Sequence, residues 1–300
     1  MSNIQFNSDY INSSNSNNSL HGFFQIIQNF DKMNIREIEP TAKNINENIF
    51  EEDLGIVIDE LVNLIFKELN KGKAEEVLKC HVLNYINSHK IILQEIYDCL
   101  LNNQYNNSNS ICLLGYFNYY GIGININKKR AAELYQKATL LGNNVAQLNL
   151  ADMYIHGNGI NTCSELAFGL YKKLADKEVP YAIDKLGYCY EMGIGTGTNW
   201  KRAVELYQKA ADLGNSTGMN NLGDCYHNGF GTNIDDQKAF ELYQKAANLD
   251  NFFAQYKLAL MYESGNGIEK NIAHAIYWYK KSAKQGYIYA QNHLKKFIAV

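Results

Sequence analysis

The sequence predicts an all-α fold: a right-handed α-solenoid of stacked antiparallel helix pairs behind an N-terminal helical cap. Three observations carry that prediction. Glycine recurs as a doublet every 36 residues, at Gly121/Gly123, Gly157/Gly159, Gly193/Gly195, Gly229/Gly231 and Gly265/Gly267. Other columns hold the same register without an insertion: Leu at 114, 150, 186, 222 and 258, Ala at 131, 167, 203, 239 and 275, and Tyr at 135, 171, 207, 243 and 279. Between the doublets, apolar residues follow helical spacing. Units of this kind cannot bury their apolar stripes alone and do so against neighbouring copies.

Along the chain, the Asn/Ser-rich residues 1–48 lack a clear apolar period, contain Pro40 and are expected to be largely disordered or irregular. Residues 49–106 read as a helical segment. Leu54, Val57, Ile58, Leu61, Leu64 and Ile65 form one stripe ending near Gly72, and "KAEEVLKCHVLNYINSH" and "KIILQEIYDCLLNNQ" supply two more helical stretches. An Asn/Ser run from Asn102 to Ser110 links them to the repeats. This block either caps the array, shielding Ile111, Leu113 and Leu114, or serves a separate partner.

Five repeats follow, at 107–142, 143–178, 179–214, 215–250 and 251–286. In the second, "NNVAQLNLADMYIHG" places Ala146, Leu150, Met153 and Tyr154 on one face, with Asn143 or Asn144 as cap and Gly157 ending the helix in the left-handed conformation. The next helix starts at a capping column of Asn127, Cys163, Asn199, Asp235 and Asn271, where Thr162 or Ser164 stands in for Cys163. Small residues at 115, 151, 187, 223 and 259 let the two helices approach closely. Residues 287–300 restart the first helix as a C-terminal cap.

The stretch "EMGIGTGTNWKRA" (Glu191 to Ala203) looks by itself like a phosphate-binding loop. Its Gly193 and Gly195 belong to the five-fold turn, however, and no copy ends in the GK[ST] of a P-loop. The net charge of −3 implies no nucleic-acid partner. Residues 1–106 hold 8 basic against 15 acidic side chains, and residues 107–300 hold 20 against 16. The six cysteines are scattered without zinc spacing, and no secretory leader is visible, which points to the cytoplasm. No run is long and apolar enough for membrane insertion. The isolated histidines, and the absence of HExxH and GxSxG, point away from catalysis, so neither catalytic residue, cofactor nor metal is expected.

The pattern of alanines, LG, tyrosines and the glycine doublet, seen best in "GMNNLGDCYHNGFGTNIDDQKAFELYQKAANLD" and "AQYKLALMYESGNGIEKNIAHAIYWYKKSAKQG", resembles the Sel-one-like repeat family, relatives of the tetratricopeptide repeat. Three departures stand out: Asn118 where other copies have Tyr, and Glu178 and Asp250 where Gly142, Gly214 and Gly286 stand. The resemblance implies a non-catalytic adaptor or scaffold for proteins, in settings that include signalling. The N-terminal helices resemble the segment that joins a kinase-like domain to repeats in some fungal members. That likeness implies a signalling partner of the kinase family, although the sequence has no HRD, DFG or Gly-rich loop on a strand. An enzymatic or enzyme-associated site in the N-terminal block is the alternative.

One face of each repeat's first helix varies between copies, and structural constraint is expected to be weakest there. Stacked, it gives a row of Tyr116, Asp152, Tyr188, Asp224 and Leu260, a neighbouring row of Tyr119, Ile155, Glu191, His227 and Glu263, and Tyr256 beside them. These eleven residues are the expected partner-binding set, lining a concave groove for a protein or peptide segment that carries Lys or Arg plus apolar anchors. An unselected solvated surface is the competing expectation.

Overall fold

The structure is a computed structural model that describes residues 51–103 and 107–298. The tail expected over residues 1–48 lies outside the described residues. Fourteen helices and no strand occur among the described residues. Three precede the repeats: α1 (Glu51–Asn70), α2 (Glu75–Ser88) and α3 (Leu93–Asn103). The five pairs are α4 (Ser108–Tyr120) with α5 (Lys128–Leu140), α6 (Asn144–His156) with α7 (Ser164–Ala175), α8 (Pro180–Met192) with α9 (Trp200–Asp212), α10 (Ser216–Asn228) with α11 (Asp236–Asn248), and α12 (Phe252–Ser264) with α13 (Ile272–Lys284). Helix α14 (Ile288–Ile298) packs on α13. Consecutive helices pack on each other throughout the array, as a solenoid requires. Within the Asn/Ser run that links the first three helices to the repeats, α3 continues to Asn103 and the Asn107 side chain caps α4.

The column residues have specific jobs. Gly157 stands at φ 68° and its N–H bonds to the Met153 carbonyl, closing α6. The second glycine of a doublet serves contact between repeats: a Cβ on Gly195 would lie 2.4 Å from the Ser164 carbonyl at the start of α7. The small column faces the tyrosine column. A Cβ on Gly187 would meet the Tyr207 ring at 2.8 Å, and one on Gly223 the Tyr243 ring at 2.7 Å. Each large ring therefore fills the space that its partner helix leaves empty, and all five column tyrosines are buried. At the capping column, Asn127, Asn199, Asp235 and Asn271 accept first-turn amides. The Cys163 side chain makes no such bond. The departures from the repeat pattern are absorbed. Asn118 is buried and bonds the Leu114 carbonyl, while Glu178 and Asp250 adopt the positive φ of the glycines they replace, at 58° and 62°.

The N-terminal helices share one hydrophobic core with the first three repeats. Helix α1 buries Leu54, Ile58, Leu61, Ile65 and Leu69, and packs chiefly on α4 and more lightly on α6 and α8. Ile111, Leu113 and Leu114 are buried. Glu68 ties α1 to α2, accepting from Lys71 at 2.6 Å and facing the His81 ring at 3.0 Å. The corner after α1 meets the starts of α8 and α10 in repeats three and four, where the Asn70 side chain accepts from the Tyr181 amide and the Lys71 carbonyl accepts from the Ser216 amide at 3.0 Å.

Candidate partner-binding groove

The eleven expected residues all sit on the first helices of the repeats, α4, α6, α8, α10 and α12. Their accessibility is uneven. Tyr116 is wholly buried, so no partner reaches it in this conformation. Tyr119, Asp152, Ile155, Tyr188, Glu191, Asp224, His227, Tyr256, Leu260 and Glu263 are half-buried. In the column of residues 112, 148, 184, 220 and 256, Cys112, Leu148, Asp184 and Asn220 are buried, whereas Tyr256 at the fifth copy is only partly covered. Burial first, and then Glu75 and Glu76 of α2, push the Tyr116 hydroxyl well above its ordinary pKa.

The acidic members of the two rows are not free of structural constraint, contrary to the expectation from their variation. Tyr171 donates to Asp152 Oδ1 at 2.6 Å, and Tyr181 donates to Asp152 Oδ2 at 2.8 Å. Tyr207 donates to Glu191 Oε2 at 2.5 Å, Tyr243 to Asp224 Oδ1 at 2.6 Å, and Tyr279 to Glu263 Oε2 at 2.5 Å. Each of repeats two to five thus places one carboxylate against its column tyrosine, from the first row in repeats two and four and from the second row in repeats three and five. The first repeat has Tyr116 and Tyr119 at those positions, and the Tyr135 and Tyr116 hydroxyls find no hydrogen-bond partner among the described residues. The signal was in the sequence, since each of those four repeats carries one carboxylate across the two columns.

Lysines reach two of these carboxylates from the next repeat: Lys257 lies 2.8 Å from Asp224, and Lys185 lies 3.8 Å from Asp152. Sequence reasoning missed Asp184, which is buried on α8 and accepts from Asn221 at 2.9 Å. Burial raises its carboxyl pKa from the ordinary 3.8 to about 6, against the pull of Lys185 and Asn221. Burial likewise raises Glu191 and Glu75 above the ordinary carboxylate range. His227 faces Asp236 at 2.7 Å. A small cleft of about 70 Å³ opens between α10, α11 and α12, lined by His227, Tyr243, Lys257, Leu260 and Ser264 among others. Its size suits one side chain of a partner. Among the described residues, no three His, Cys, Asp or Glu side chains converge as a metal would need, and no helix is long and apolar enough to cross a membrane.

Comparison with known proteins bears on this architecture directly. A family model described as the Sel1 repeat matches the chain five times, over residues 108–143, 144–179, 180–215, 216–251 and 253–287. The crystal structure of a Sel1 repeat protein from Oxalobacter formigenes is 31% identical with a TM-score of 0.60, covering 70% of this chain and 85% of that one. The protective antigen c5321 of uropathogenic Escherichia coli, which displays an SLR fold, is 23% identical with a TM-score of 0.55, covering 84% of this chain and 59% of that one. The latter is a likeness of fold alone. No curated protein matches the chain.

Proposed function

The chain belongs to the Sel1 repeat family, and from that premise we propose that it is a non-catalytic adaptor holding a segment of a partner protein in the groove of repeats three to five. Sel1 repeat proteins are typically protein-interaction scaffolds and generally non-catalytic. The observation that carries the finer reading is the uneven cover of the groove. Tyr116 on the first repeat is wholly buried, while Tyr188, His227, Tyr256 and Leu260 stay partly accessible, beside a cleft of side-chain size. Tyrosines and a leucine flanked by carboxylates suit a segment with apolar anchors and a Lys or Arg.

The signalling setting and a kinase-family partner rest on the likeness of the N-terminal helices to those of fungal kinase-associated members. A cytoplasmic location rests on cysteine usage, six scattered cysteines without zinc spacing. The test is affinity capture with protein identification on wild type beside Tyr188→Ala/Leu260→Ala, neither of which holds a column tyrosine. A partner kept by wild type and lost by the variant supports the groove. Equal retention by both moves recognition elsewhere.

A further inference from the structure

The corner that follows α1 is seated on a repeating edge. The Asn70 side chain accepts from the Tyr181 amide at 3.3 Å, the Asn70 carbonyl accepts from Asn215 Nδ2 at 3.0 Å, and the Gly72 carbonyl accepts from the Ser216 and Thr217 hydroxyls at 3.2 Å. The fit at Gly72 is close, since a Cβ there would lie 2.7 Å from the Thr217 amide. Lys73 then reaches the Leu249 carbonyl at 2.9 Å, and the chain turns away into α2. Residues 181 and 217 are one column of the 36-residue period, and its next two members are Phe253 and Tyr289. Beyond the N-terminal block the column carries two exposed aromatic side chains, at 42% for Phe253 and 48% for Tyr289, with Ile288 beside them at 37%.

These rings form one patch. Phe253 and Tyr256 each lie 5.2 Å from Tyr287 between ring centroids, and Tyr287 lies 5.4 Å from Tyr289. Large aromatic side chains grouped at a surface mark interaction sites more often than solvated surface. Their line continues the seat that α1 and its corner already use, so the geometry of the occupant is set by the chain itself.

We infer that this aromatic track at the C-terminal end of the solenoid seats an amphipathic helix of a partner protein, laid in line with α1 and presenting an aliphatic stripe of the Leu54, Ile58, Leu61, Ile65 kind. The inference rests on the adaptor reading above and names the partner element and where it docks. The rings supply rigid apolar area at small conformational cost, and an aliphatic stripe at i, i+4 spacing matches it.

The probe is a fluorescein-labelled peptide of residues 51–70, with a scrambled peptide of equal composition as control. Binding is followed by anisotropy on the full chain and on Phe253→Asp/Tyr289→Asp, after circular dichroism has shown equal helicity. Wild type binds the α1 peptide and not the scrambled one, and the variant binds it roughly tenfold or more weakly. Equal binding to both proteins places the peptide elsewhere and overturns the inference, as does no binding to wild type. Concentration-dependent dimerisation of wild type that the variant loses overturns it in favour of a second copy as occupant. If the peptide fails while Tyr188→Ala/Leu260→Ala still loses its captured partner, the adaptor reading stands and only this docking site falls.

Discussion

The Tyr207 hydroxyl donates to the Glu191 carboxylate at 2.5 Å across the seam between α9 and α8. It is one of four such pairs, and it makes a surface row part of the packing of each repeat. Both groups are drawn out of water, so the bond is worth more than an exposed one and its loss strands a carboxylate. Tyr207→Phe is expected to destabilise the protein by about 1–2 kcal/mol. Tyr135→Phe removes a buried hydroxyl with no partner among the described residues, and is expected to be neutral or stabilising by up to about 1 kcal/mol. Urea denaturation of the two variants checks the contrast, and equal losses would contradict it.

The doublet glycines and the extra glycine beside them should behave oppositely. Gly195 has φ 65° and no room for a Cβ. Gly195→Ala is expected to cost about 2 kcal/mol or more. Gly197 has nothing within 4 Å of where its Cβ would stand, so Gly197→Ala should stay within about 0.5 kcal/mol of wild type. Thermal unfolding of both reads the difference.

Asp250 holds φ 62° at a position where Gly142, Gly214 and Gly286 occur. Asp250→Gly relieves that backbone and should stabilise by roughly 0.5–1 kcal/mol, whereas Gly214→Ala in the same column should destabilise by a similar amount. Chemical denaturation of the pair shows whether the signs differ.

Asp184 gives the fold a pH dependence of defined sign. Its carboxyl in the folded state titrates near 6, above the ordinary 3.8 of the unfolded chain. The folded state therefore holds the proton more tightly. The contribution is fully present below about pH 4 and is lost as pH rises through about 6. Asp184→Asn keeps an acceptor for Asn221 and should gain roughly 1–3 kcal/mol at pH 7, with little gain at pH 4. Melting curves of both proteins from pH 4 to 7 test this, and a gain independent of pH would contradict it.

Much of this was legible before any coordinates. The 36-residue columns state which residues meet, because each copy solves the same packing problem: a small residue opposite Tyr, a left-handed glycine at the corner, a cap before the second helix. The candidate groove was legible only in part. Variation between copies was read as freedom, yet Asp152, Glu191, Asp224 and Glu263 alternate between two columns to serve one tyrosine each. Alternation over two repeats resembles variation when each column is read alone.

The sequence by itself determined the helices, their pairing and the solenoid, since all three follow from local spacing and from contacts between neighbouring copies. Only the tertiary structure decided where the N-terminal block lies. Its stripe of Leu54, Ile58, Leu61 and Ile65 is compatible with any apolar surface, and it carries no repeat register that names a partner. Packing of α1 on α4, and contacts between segments far apart in sequence such as Asn70 with Tyr181 and Gly72 with Thr217, lay the block across repeats one to four. The folded chain buries Tyr116 and leaves the other ten residues of the expected groove half-buried.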